Sequence, residues 1–231
     1  MDLLVEGTRR AIALLLGADP EIWAILWLSL QVSATATGLA LVIGIPVGVV
    51  LGLARFPGRM LLVSGVNAGM GLPPVVVGLF VTILLWRAGP LGELEVLYTP
   101  AAIVIAQAAI ASPIVTGITL AAVQNIPEMF RLQLLGLGAS RRQMVWVVLR
   151  EARLPMLAAV MAGFGGIISE IGASMMVGGN IKGHTRTLTT AMVLETGKGN
   201  FDIAIALSIL LLTLVFLASW ALTSIQQRRA L

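Results

Sequence analysis

The chain has 231 residues, 58% of them hydrophobic and only 11% charged, with a mean hydropathy of +0.99. A soluble domain of this length needs far more polar surface, so the composition describes an integral membrane protein. The net charge of +4 and sequence pI near 10.6 do not argue for nucleic acid, because the basic residues lie in short loops beside apolar runs. With no cysteine and a single histidine, His184, disulfides, thiolate metal sites and histidine-based metal sites are excluded.

In residues 1–16, Asp2, Glu6, Arg9 and Arg10 share one helical face while Leu3, Leu4, Ala11, Leu14 and Leu15 take the other. That pattern predicts an interfacial helix lying flat on the membrane. A signal peptide is the rival reading, disfavoured by the short apolar run and the leading acid. Residues 22–54 carry no charge and exceed the roughly 20 residues a bilayer requires, so this first span must tilt, protrude or bend, with Gly44-Ile45-Pro46 as the expected bend. A second span over 61–86 is interrupted by Pro73-Pro74, which remove two backbone donors near mid-membrane. Such a break is either a structural kink or part of a cavity lining. Thr99-Pro100 opens a third span to Val123, with a kink expected at Pro113. A fourth begins at Leu154 or Pro155 and ends near Val177, containing Gly163, Gly165, Gly166, Gly172 and the acid Glu170. These glycines predict close helix contact. A fifth occupies 201–223, followed by Gln226, Gln227, Arg228 and Arg229.

Between the third and fourth spans, residues 125–155 form a charged, glycine-broken interlude. Asn125 can cap a short helix entered through Pro127, with Glu128 in its first turn. Gly136 and Gly138 stop it, and Ser140 caps a second helix with Gln143 completing a capping box. The expectation is two short helices meeting at a glycine corner. With five spans the chain ends lie on opposite sides. Placing this elbow in the cytoplasm puts nine of the 15 Arg and Lys residues inside and most acids outside, in the direction of the positive-inside rule.

No phosphate loop is present: Thr196-Gly197-Lys198-Gly199 lacks the leading glycine and trailing hydroxyl, and Gly163-Phe164-Gly165-Gly166 lacks a third glycine at the right offset. A single histidine rules out a Ser/His/Asp set that can be argued from sequence. Two polar features remain. Residues 178–190 combine glycines, hydroxyls and cations, including Asn180, Thr185, Arg186, Thr187 and Thr189. Their donors suit oxyanions, although the residues alone favour a solvated outer loop carrying a helix cap. Glu170, inside a span, is either a gate or a structural acid bonded to nearby backbone or hydroxyls, and a negative charge in an anion conduit favours the structural role.

The elbow resembles the permease subunits of type I ABC importers, on Leu137-Gly138-Ala139-Ser140. It differs where Leu132-Gln133-Leu134 replace the family's Glu-Ala-Ala, and Leu154-Pro155 stand four residues later than usual. The run Gly165-Gly166-Ile167-Ile168-Ser169-Glu170-Ile171-Gly172-Ala173, the Thr-Arg-Thr-Leu-Thr-Thr-Ala segment from Thr185, Gly71 to Gly78, and Leu149 to Arg153 resemble the molybdate and tungstate permeases, most of all their tungstate branch.

The resemblance implies an all-α membrane protein of about five transmembrane helices, with an N-terminal interfacial helix at 1–20, a transmembrane domain at 21–225 and a tail at 226–231. The loop 125–155 would couple to a separate ATPase through Glu128, Arg131, Leu137, Gly138, Ala139, Ser140 and Arg141. It further implies a homodimer, two ATPase subunits that hold ATP and magnesium, and an extracytoplasmic oxyanion-binding protein; this chain would bind no cofactor or nucleic acid and catalyse nothing. Pro73, Pro74, Glu170, Asn180, Thr185, Arg186, Thr187 and Thr189 are the candidate pathway residues. A sulfate or methionine permease is the alternative within the class, and a membrane-embedded enzyme or a secondary carrier outside it.

Overall fold

The computed structural model describes residues 2–17 and 20–228, without the side chains of 2–4, 11, 14–16 and 228. The apolar face assigned to Leu3, Leu4, Ala11, Leu14 and Leu15, the acid Asp2 and the terminal Arg229 therefore lie outside what is described. Every regular element among the described residues is helical.

α1 (Asp2–Leu16) packs along the start of the last helix, α11 (Phe201–Arg228). Gly7 is buried where a Cβ would meet Ile205, and Arg10 Nη1 pairs with Asp202 Oδ2 at 2.8 Å. The helix read as lying flat on the membrane is docked on another helix.

α2 (Pro20–Leu53) runs unbroken for 34 residues, through the expected bend at Pro46. At 1.5 Å per residue it is about 50 Å long, well beyond the roughly 30 Å hydrocarbon core. Its partner is α5 (Pro100–Gln124), which is likewise continuous through Pro113. The contact between them is made by small residues four apart: Ala36, Ala40, Gly44, Gly48 and Gly52. A Cβ at Gly44 or Gly52 would lie 2.7 Å from a methyl of Val115 or Val123, and at Gly48 2.7 Å from the Thr116 carbonyl. Lipid is as apolar as leucine, so helices associate in a membrane through close van der Waals fit, which this stripe supplies.

The second and fourth expected spans are each two helices. α3 (Arg59–Met70) and α4 (Pro74–Leu85) meet at 104° across the prolines. In a continuous helix the N–H groups of residues 73 and 74 would close on residues 69 and 70, and proline has none to offer. α6 (Glu128–Gly136) and α7 (Arg141–Glu151) form the elbow, followed by α8 (Arg153–Ile168) and α9 (Gly172–Gly178), which meet at 61°. α10 (Leu188–Gly197), a helix the sequence reading did not separate, leads back to α11. Among the described residues three helices, α2, α5 and α11, are long and apolar enough to cross a membrane, and up to five crossings result if each bent pair counts as one.

Four apolar clusters fill the bundle. α5 contributes to three: with α2, α4 and α9 around Val32, Val81 and Ile103; with α2 and α8 around Ala40, Val115 and Ile167; and with α2 and α7 around Val49, Val123 and Val148. The fourth joins α2, α10 and α11 around Ile25, Leu188 and Leu207. Of the glycines expected to bring α8 close to a neighbour, Gly163 faces Val115 and Gly172 faces Val75, whereas Gly165 faces open space and Gly166 only reaches ordinary contact.

The α2–α5 contact predicts an asymmetric mutational response. Gly48→Leu should lower thermal stability by about 1–3 kcal/mol, the usual cost of overpacking. Gly38→Leu, on the same helix with nothing within 4 Å of its would-be Cβ, should leave the melting temperature nearly unchanged. Equal melting temperatures for the two variants in detergent would contradict the packing described.

Candidate functional site

The elbow is shaped by backbone hydrogen bonds. Asn125 is the C-terminal cap of α5, its N–H donating to Ala121 O while the next N–H, of Ile126, donates to Val123 O, so it does not cap α6 as its residue type suggests. Pro127 occupies that position with extended backbone, and Glu128 opens the first turn. At the other end Gly138 takes φ +87, Gly138 N–H bonds Leu135 O at 3.0 Å, and Ala139 N–H bonds Leu134 O at 3.1 Å. This is a Schellman closure, with glycine at the one left-handed position. Ser140 then starts α7 with the expected reciprocal box: Gln143 N–H donates to its hydroxyl, and Gln143 Oε1 accepts from its N–H at 2.7 Å.

The elbow is anchored on one side and open on the other. Val148 and Ala152 are buried against Val49, Val123 and Ile126, fixing α7 to the ends of α2 and α5. Met129, Leu132 and Leu137 are exposed, Leu137 to 85%, beside exposed Arg141 and Arg142. Apolar side chains left in water at the tip of a charged loop mark a contact surface. Arg55, just after α2, reaches both carboxylate oxygens of Glu128 at 2.8 and 2.9 Å, and Arg150 lies over the Trp146 ring. Arg131 points back towards α2, its Nε buried without a partner.

A second focus lies inside the bundle, where the two helix breaks meet. Val75, at the start of α4, sits against Gly172 at the start of α9, where a Cβ would come 2.5 Å from a Val75 methyl. Gly78 packs likewise on Ala173, and Gly69, before the proline break, on Pro113 of α5. Glu170 is therefore not within a continuous span. It sits in the break, and its Oε1 accepts the Ala173 N–H at 2.8 Å, capping α9. The break is held by Gln107, 3% exposed in the first half of α5. Its carbonyl accepts from Ser33 Oγ at 3.3 Å and its amide donates to Ile167 O at 3.1 Å and Ser174 Oγ at 3.4 Å. Pro73 and Ser169, one in each break, are exposed.

The glycine- and threonine-rich segment uses most of its polar groups internally. Thr185 Oγ1 donates to Gly178 O and accepts the Ile181 N–H. Thr187 caps α10 with Thr190, and Thr189 Oγ1 bonds Glu170 O at 3.2 Å, tying this segment to the break. Asn180, at φ +51, donates to Thr190 O at 3.3 Å. The cations are less committed: the Arg186 side chain is 16% exposed, 3.7 Å from Glu21, with its Nε buried and unpartnered, and Lys182 reaches Glu21 at 2.7 Å. The predicted pathway residues thus fall into two groups, Pro73, Pro74 and Glu170 at the breaks and Asn180, Thr185 and Arg186 in the loop, with Thr187 and Thr189 between them.

Residues 44–231 match the family of binding-protein-dependent transport system inner membrane components. The chain belongs to that family. The permease is 38% identical over 229 residues to a tungstate uptake system permease protein of Peptoclostridium acidaminophilum, covering 98% of this chain and 100% of the relative. It is 41% identical over 192 residues to a probable anion ABC transporter permease protein of Haloferax volcanii, covering 81% and 83%. In fold it is similar to a chain of the MetNI methionine ABC transporter in an inward-facing crystal form, with TM-score 0.74 at 22% identity over 91% of this chain and 98% of that one.

Reading the permease from sequence passed over Gln107. An uncharged amide alone in the apolar run of α5 was the available signal, since buried polar side chains in a span find partners across helices. Ser29, whose hydroxyl donates to Ile25 O and accepts the Leu188 N–H at 2.8 Å, was missed for the same reason.

Two predictions follow from these contacts. Glu170→Gln keeps a carbonyl acceptor for Ala173 N–H and should retain assembly and uptake, while Glu170→Ala should lose about 1 kcal/mol of stability with the cap. Loss of uptake in a well-folded Glu170→Gln variant would show that the charge itself is needed. Glu195, at the end of α10, is held below the usual carboxylate range by hydrogen bonds from the Asn200 amide and Lys198 ammonium. A depressed carboxylate pKa adds stability above the unfolded-state value and loses it as pH falls through the folded one. Thermal stability should drop on acidification through that range, less steeply in Glu195→Gln.

Proposed function

We propose that the chain is the permease of an ATP-driven oxyanion importer that admits tungstate, with molybdate the second candidate. The end-to-end similarity to a tungstate uptake system permease protein carries this reading, and a molybdenum transport system permease protein of Escherichia coli is more distant at 30% identity. The protein is a multi-pass membrane component that works with an ATPase and a binding protein, and is not itself an enzyme.

The elbow α6–α7 docks on the ATPase with its exposed Met129, Leu132 and Leu137. Its rigid attachment through Val148 carries motion into α2 and α5. The N-terminus lies outside and the C-terminus in the cytoplasm, as the arginine count favours. Irregular backbone at membrane depth persists only where protein or water satisfies it, so the exposed Pro73 and Ser169 support a water-filled path along the two breaks. That path runs at the two-fold axis of a homodimer, each subunit presenting one elbow to one ATPase. The open face at Gly165 and Gly166 suits approach of the second copy.

In a reconstituted complex with its ATPase and binding protein, tungstate should stimulate ATP hydrolysis more than molybdate, and both more than sulfate. Stimulation by sulfate alone would replace the substrate assignment. Gly138→Trp should uncouple hydrolysis from uptake although space exists around that glycine, because φ +87 strains any side chain. Normal uptake in that variant would remove the elbow from the coupling route.

A further inference from the structure

The inner end of α2 carries a cleft of about 360 Å³, lined by Arg55, Arg59, Gln124, Glu128 and Arg131 among others. It sets three guanidinium groups against one carboxylate, and Glu128 is already taken up by Arg55 through both oxygens. Arg59 directs its Nε to Leu51 O at 2.7 Å, and among the described residues no acceptor reaches the rest of its guanidinium. Arg131 Nε is buried against the same cleft without a partner. Two fork-shaped donors therefore border a space, lined also by Gln124, whose one carboxylate is paired with a third arginine, an arrangement that suits a phosphate-type oxyanion.

The surroundings say which one. Arg59 opens α3, whose residues 60–70 carry no charge, so the cleft lies where a membrane-embedded run begins. Immediately beside Arg59, Met60 and Leu61 are among the most exposed apolar side chains of the protein, turned outward on α3. A phosphate seated on the arginines with hydrocarbon laid over Met60 and Leu61 is the outline of a phospholipid. We propose that this cleft holds the headgroup phosphate of an anionic phospholipid of the cytoplasmic leaflet, wedged between α2 and the elbow helix α6. Basic pockets at the cytoplasmic ends of membrane helices bind such headgroups. The proposal rests on the inward placement of the elbow argued above. It adds to that reading a lipid contact that touches the elbow helix directly.

The test titrates the purified full-length permease in detergent with dioleoyl phosphatidylglycerol, dioleoyl phosphatidylcholine, inorganic phosphate or tungstate, following the melting temperature. Phosphatidylglycerol should stabilise the protein, and the other three should not at equal concentration. Arg59→Gln and Arg131→Gln should each weaken the apparent affinity roughly fivefold, at about 1 kcal/mol per arginine, with Arg59→Lys closer to the parent. Equal affinity of parent and Gln variants, or an equal response to inorganic phosphate or tungstate, would overturn the proposal. Should a Gln variant fail to fold, the parent decides alone: equal stabilisation by phosphatidylglycerol and phosphatidylcholine overturns it. A variant that loses its co-purifying ATPase yet keeps the lipid response would assign the cleft to the ATPase instead. The chain has no cysteine, so Phe56→Cys reports sidedness. Labelling of that residue from outside the cell would overturn the topology reading as well, whereas the lipid arms bear on this site alone.

Discussion

A single carboxamide holds the irregular part of this protein together. Gln107, buried on α5, bonds in one side chain a hydroxyl from α2, a hydroxyl from α9 and the Ile167 carbonyl at the end of α8, which also accepts the Glu170 N–H. Without it, the buried Ser33 and Ser174 hydroxyls would lose their partner across the helices, and a buried polar group left unsatisfied costs about 1–3 kcal/mol. Replacing a partner in a buried polar network leaves the remaining groups unsatisfied, which costs more than the bond contributes. The second break, at Pro73 and Pro74, leans on the first through Val75 and Gly172. Two departures from regular helix thus share one support.

The elbow answers a different demand. It keeps its shape with bonds internal to the backbone and its caps: the Schellman pair at Leu134 and Leu135 and the box between Ser140 and Gln143. Side chains on its outer face are therefore free of structural duty. Leu132-Gln133-Leu134 can stand where the family has Glu-Ala-Ala because the corner is built by backbone bonds and caps.

What could be read from the sequence tracks how local the cause is. The capping box and the left-handed Gly138 lie within a few residues of each other and were legible, as were the long apolar runs. The elbow's first helix was legible too, but Asn125 deceived: a good N-capping side chain two residues too early ends the preceding helix instead. The 104° bend could not be measured from Pro73-Pro74, since two prolines announce a break and tertiary packing sets its angle. Glu170 looked like an intramembrane charge because the end of α8 is not written in its own residues, and the acid proves to be the cap of the next helix. Gln107 and the glycine stripe of α2 depend on contacts tens of residues away. Periodicity at four could have exposed the stripe; nothing local shows what Gln107 touches. The hydroxyls of Thr185, Thr187 and Thr189 read as ligand donors, yet each is engaged within the fold.

The glycine stripe has a mechanical corollary. With no cushion of side chains between them, α2 and α5 interlock backbone to branch, so sliding one along the other by part of a turn would drive Val115, Thr119 or Val123 into the opposing main chain. The pair has to pivot as one stiff lever. Its inner end is clasped by the elbow through Val148, and α2 alone carries on to Ile22 beside α10 and α11. A nudge delivered at the elbow would therefore reach the far side of the bilayer at nearly full amplitude, leaving the two jointed helices to take up the flexing.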